Sequence, residues 1–168
     1  MLSLLVALSL VAGPEPITMV GTVRVLGPAQ SRTIEVVDDA KSIVVVGDLA
    51  EEVAQLQSLK VEVVGMPAKE AIDVREYRII DVGGGVKPMV GILERRGERL
   101  ALRDGEADAI PLNVGPRTLQ KLIPLAGSKV WVAGNKLLSG ELKVTKYGVL
   151  RKPRDVLEHE QKPVPKGD

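Results

Sequence analysis

The chain has 168 residues, 45% of them hydrophobic, and a formal net charge of +1. That apolar content excludes an intrinsically disordered chain, and the absence of cysteine excludes disulfides, thiolate metal sites and cysteine nucleophiles. The apolar residues are mainly Val, Leu, Ile and Ala, with no Phe, one Trp and two Tyr, a composition that favours pleated sheet.

From the N-terminus, Leu2 to Ala12 is a continuous apolar run that stops at Gly13-Pro14-Glu15-Pro16. It is shorter than the roughly 20 residues needed to cross a bilayer, and fits the central region of a secretory signal covering residues 1–13. The other reading is a buried N-terminal strand or helix. Export would place the mature chain in the periplasm, without a transmembrane segment; retention would leave it in the cytoplasm.

Residues 17–82 read as strand, strand, strand, helix, strand, strand. Met19–Leu26 is β-branched and ends at Gly27-Pro28, Thr33–Val36 alternates with period two, Asp38-Asp39 marks a turn, and Ser42–Val46 is the third strand. A helix over Asp48–Gln57 is expected, with Asp48 as its cap, Glu51 as the capping-box partner, and Leu49, Val53 and Leu56 on one face. Strands at Lys60–Gly65 and Ile72–Val82 follow. Gly83-Gly84-Gly85 opens a linker over residues 83–88; it lacks the spacing and the following helix of a phosphate-binding loop, and reads as a flexible hinge.

Residues 89–150 repeat that order. Strands are expected at Met89–Arg95, Arg99–Arg103 and Ala107–Leu112, with a hairpin turn at Asp104-Gly105. A helix begins at Pro116 with Leu119, Leu122 and Ile123 inward, and strands at Ser128–Gly134 and Leu142–Leu150 close the unit. Residues 151–168 are charged and Pro-rich, a solvated tail with a brief helix near Asp155–Gln161.

The two units are copies. Lys60-Val61-Glu62-Val63-Val64-Gly65 recurs as Lys129-Val130-Trp131-Val132-Ala133-Gly134, Met19-Val20-Gly21 as Met89-Val90-Gly91, and Val74 and Tyr77 as Val144 and Tyr147. Their charges are opposed: residues 17–82 carry 7 basic and 11 acidic side chains, residues 87–150 carry 11 and 6. Such complementarity favours docking of one unit on the other, or head-to-tail association; two independently solvated surfaces are the alternative.

Three strands, a short helix and two strands in each copy, with the Lys-Val-x-Val-x-Gly fourth strand, resemble the oligonucleotide/oligosaccharide-binding (OB) fold. The chain is similar to a tandem pair of small bacterial envelope domains of that fold. The resemblance implies a mainly β protein of two five-stranded OB-like barrels (β-β-β-α-β-β), each with one short helix. In that fold the outer face of strands two and three is a common ligand surface. Alternation sends Leu100 and Leu102 into the second barrel and Arg99 and Arg103 to this face, with Arg95 and Arg96 just before it.

Catalytic sets do not assemble. His159 is the one histidine and lies in the tail beside Glu158 and Glu160, and Asp104, Glu106 and Asp108 read as a hairpin turn more readily than a calcium loop. No metal or cofactor is expected. Trp131 must face outward if Val130 and Val132 face inward, which makes it a partner-binding anchor or a residue packed against the other unit. The expectation is therefore a non-enzymatic module binding a protein partner in the envelope. The alternative is a polyanion binder, for single-stranded nucleic acid or an acidic polysaccharide, using Arg95, Arg96, Arg99 and Arg103. The shortage of rings for base stacking speaks against nucleic acid.

Overall fold

The structure, a computed structural model, describes residues 14–153. The apolar run Leu2–Ala12, the tail helix expected near residues 155–161, and His159 lie outside the described residues.

The first half forms β1 (Ile17–Leu26), β2 (Thr33–Val37), β3 (Ser42–Val46), the short helix α1 (Ala50–Ala54), β4 (Lys60–Ala68) and β5 (Ala71–Asp81). The second half forms β6 (Met89–Arg96), β7 (Arg99–Arg103), β8 (Ile110–Asn113), α2 (Pro116–Leu122), β9 (Lys129–Lys136) and β10 (Leu142–Arg151). The protein is mainly β, with one five-stranded sheet per half. Each sheet closes on itself in the order first, second, third, fifth, fourth strand, and the third and fifth strands pair in parallel.

Alternation builds both interiors. Met19 and Val23 of β1, Ile34 and Val36 of β2, Val61 and Val63 of β4 and Ile72 and Val74 of β5 point inward, with Val53 and Leu56 from the α1 segment added. The second interior is leucine-rich: Leu93, Leu100, Leu102, Leu112, Leu122 and Leu142 meet Val130 and Val132.

The helix opening differs from expectation. Leu49, not Asp48, occupies the cap position, already in helical conformation and without a side-chain cap bond. Gly47, at φ +95°, turns the chain, and its carbonyl accepts from the Ala50 N–H. Glu51 pairs instead with Arg32. The Asp38-Asp39 pair is a turn: the Asp38 carboxylate accepts from the Ala40 and Lys41 N–H groups at 2.7 and 2.8 Å, which holds its pKa below the ordinary value.

Repeated glycines mark where the sheets bend sharply. A Cβ on Gly21 or its counterpart Gly91 would run into the carbonyl of Val37 or Arg103 respectively. One on Gly65 or its counterpart Gly134 would overlap the carbonyl of Asp73 or Lys143. Backbone fills the space a side chain would need, so the repeat retains glycine at the same four points.

The triple glycine is not a free hinge. Gly83, Gly84 and Gly85 all have positive φ, the Val82 N–H bonds the Val86 carbonyl, and Lys146 Nζ donates to the carbonyls of Val82 (2.9 Å) and Gly83 (3.1 Å). The linker is a left-handed turn tied to β10.

Gly65→Ala and Gly134→Ala should each lower stability by about 1–3 kcal/mol through overpacking, read from urea unfolding midpoints. Gly84→Ala, with open space around it, should cost only about 1 kcal/mol, from its left-handed backbone.

Candidate binding surfaces

The two sheets meet at a seam organised by Glu52 on α1, which is 4% exposed. Tyr77 from β5 donates its hydroxyl to Glu52 Oε2 at 2.6 Å, and Lys129 from β9 donates to the same oxygen at 2.7 Å. Arg151 at the end of β10 places Nε 3.3 Å from the other carboxylate oxygen. Lys129 Nζ also lies 5.2 Å from the Tyr77 ring centroid, within cation–π range. Burial alone would raise the Glu52 pKa. The hydrogen bonds from Lys129 and Tyr77, with the charges of Lys129 and Arg151, outweigh it and hold the pKa below the usual glutamate value. Burial first, and Glu52 second, push the Tyr77 phenol far above its ordinary range, so it remains a donor.

Apolar packing accompanies the ion cluster. Trp131, Ala133 and Leu150 of the second sheet belong to the core cluster of the first. Trp131 does project away from its own interior, where Val130 and Val132 point, yet it is only 8% exposed. Its reading as a partner anchor is therefore corrected: the first half covers it. The opposed charges of the halves act here too, since the acid comes from the negative half and both cations from the positive one.

Comparing the copies explains the tryptophan. In the first sheet Glu62 and Arg78 face each other across β4 and β5 as an ion pair at 2.7 Å. The matching cross-strand pair in the second sheet is Trp131 and Gly148. The indole lies against Gly148, where any Cβ would overlap it. A solvated ion pair in one copy is thus an apolar docking face in the other.

The arginine face assembles only in part. Glu94 sits between Arg96 and Arg103 and pairs with both, its pKa lowered chiefly by Arg103. The Glu94–Arg103 bridge spans Ala101, the cross-strand neighbour of Glu94, which is buried as well. Arg95 alternates to the opposite side of β6, opposite Leu100, and its Nε donates to the Gly97 carbonyl. Arg99 remains exposed at the rim of a 370 Å³ groove with Asn113, Leu119 and Glu141. Four arginines on one surface become three, with a carboxylate among them. Among the described residues no cluster of three or more His, Asp or Glu is placed to hold a metal ion, so Asp104, Glu106 and Asp108 are not gathered into a site. No described helix is long and apolar enough to cross a membrane.

The larger opening lies beside the seam. A cavity of about 620 Å³ is lined by Leu49, by five consecutive β5 residues (Arg75–Ile79), and by Lys87, Pro88, Val90, Asp104 and Lys129. Sequence reading missed both this cleft and Glu52. Glu51-Glu52 looks like any solvated helix pair, and only the opposed charge of the two halves pointed toward an acid at their junction.

Glu52→Gln should lower stability at neutral pH by roughly 1–3 kcal/mol, because Lys129 and Arg151 lose their counter-charge. Trp131, the sole tryptophan, should report any loosening as a red shift in emission. Because the folded pKa of Glu52 lies below its ordinary 4.5, the unfolded chain binds the proton first as pH falls. Its contribution is full above that value and is lost as pH drops through the folded one. The gap between wild type and Glu52→Gln in acid unfolding should close there.

Comparison of the sequence with protein families and with curated proteins gives no match.

Proposed function

We propose that the chain is a non-enzymatic binding module of two OB-like barrels, held against each other to present a surface to a protein partner in the bacterial envelope. The observation that carries this reading is the Glu52 seam. Buried Glu52 accepts from Tyr77 of its own half and from Lys129 across the seam, and its pKa is lowered while that of Tyr77 is raised, each away from the near-neutral range that suits a general acid or base. Polar burial here fixes the relation of two sheets and activates no nucleophile.

Several features support the OB-like assignment. The element order is β-β-β-α-β-β in both halves, the first strand pairs with the second and the fourth, and a parallel third-to-fifth pairing closes each ring. The envelope assignment rests on the apolar run Leu2–Ala12 ahead of Gly13-Pro14. The polyanion reading is the weaker one, since Arg95 turns to the other side of β6 and the three arginines left on the face share it with Glu94.

Expression in a bacterium from its own start, followed by N-terminal sequencing and fractionation, should yield a chain beginning near Gly13 in the periplasm. An intact Met1 in the cytoplasm overturns the envelope assignment. Chemical cross-linking in the source cell should recover one discrete protein partner; a chain recovered only as itself, at its own mass, overturns partner binding.

A further inference from the structure

We infer that the partner binds as an extended, acidic peptide segment that adds to the open edge of β5 inside the cleft between the two sheets. This rests on the protein-binding reading above and names its site.

On the side facing β3, β5 pairs only through Ala71, Ile72 and Asp73. The strand then runs on to Asp81 with β4 on its other side and no strand on this one. The backbone hydrogen bonds made outside helices and sheet ladders involve none of Arg75–Ile80, and neither do the side-chain bonds to backbone among the described residues. The cleft follows this edge. Five consecutive residues, Arg75–Ile79, line it, and the register with β4 shifts at Arg75 and again at Ile80, breaking the strict alternation of side chains along this stretch.

The second half shows what such an edge ordinarily receives. β10 pairs with β8 only at Leu142 and Lys143, then continues to Arg151 with the same side unpaired by any strand. That length is occupied by the first half: Lys146 binds the Val82 and Gly83 carbonyls, and Arg151 meets Glu52. Both edges run on past their parallel pairing: β10 sends Lys146 and Arg151 to the first half, and β5 sends Tyr77 to Glu52 while its residues Arg75–Ile79 line the cleft. An uncovered edge with free N–H and C=O groups is a template for a further strand. At about 3.3 Å per residue, Arg75–Ile79 offers roughly 16 Å, room for about five residues of a partner.

Charge selects the kind of segment. Arg75, Arg78 and Lys87 line the cleft against Glu76 and Asp104, with Lys129 at its wall already held by Glu52. Arg75 and Arg78 pair with Asp73 and Glu62, but their side chains are 65% and 58% exposed, and pairs of that kind are weak enough to exchange for a ligand carboxylate. Lys87 is exposed beside them.

The test is selection of a random nine-residue displayed peptide library on the intact purified chain, followed by binding of the enriched peptides as synthetic probes. Enriched peptides should be acidic, lack a central proline, and weaken as salt rises. They should slow amide hydrogen exchange within Arg75–Ile80 and lose about tenfold or more in affinity to the double variant Arg78→Glu/Lys87→Glu. Unchanged Trp131 emission in that variant verifies its fold. Peptides that bind without protecting this edge, or that ignore the double variant, overturn the site and leave the binding-module reading standing. No enriched peptide overturns both. Concentration-dependent self-association that protects the same edge assigns it to a second copy of this chain and overturns the foreign-peptide proposal.

Discussion

One buried carboxylate sets the relation between the two halves. Glu52 takes hydrogen bonds from a phenol of its own half and an ammonium of the other, both on one oxygen, and a guanidinium of the other half pairs with its charge at the second. A buried charge is tolerated only when paired and hydrogen-bonded, so Lys129 and Arg151 cannot leave without stranding it. The geometry of the junction follows from that requirement. The indole of Trp131 is covered beside it, and Lys146 grips the turn that connects the sheets. Coulomb attraction selects which surface meets which, and apolar burial supplies the adhesion.

The two sheets show how far one design can diverge once it has been doubled. Strand order, closing pairs and four glycines at points of close backbone approach are common to both. The outward positions differ. Lys60 is exposed while its counterpart Lys129 enters the ion cluster, and Glu62–Arg78 gives way to Trp131–Gly148. Interior positions are held by the packing of a small closed sheet, whereas outward positions are free to acquire a use. Docking of the halves was built entirely from the second kind.

This division also governs what could be read in the residues. The elements, their order and most inward side chains follow from period-two alternation and from the internal repeat. The outward direction of Trp131 followed from the same alternation, but alternation is silent on what lies opposite, so its burial against the other half is not legible in the strand itself. The helix cap was misread because capping signals are local, while Glu51 is drawn to Arg32, distant in sequence. The arginine surface was overcounted for a related reason: one residue's difference in phase turns Arg95 to the other side of β6, and Glu94 has no visible role until its cross-strand neighbours are known. The cleft along β5 is a property of two sheets together, and no single stretch of sequence encodes it.

The contact between the halves joins unlike surfaces: the β9–β10 side of one sheet rests on the α1 side of the other. An arrangement of that type is head-to-tail, so repetition of the same step would generate a ring or an open filament according to its rotation. The two outer faces differ from the two that meet. The first sheet presents the charged pair Glu62–Arg78 where the second presents the indole on glycine. On the second half, α2 carries exposed Arg117 and Lys121 and no acid in its first turn, where α1 carries Glu51 and Glu52. The doubled unit thereby carries different chemistry on the faces it buries and on those it leaves outward.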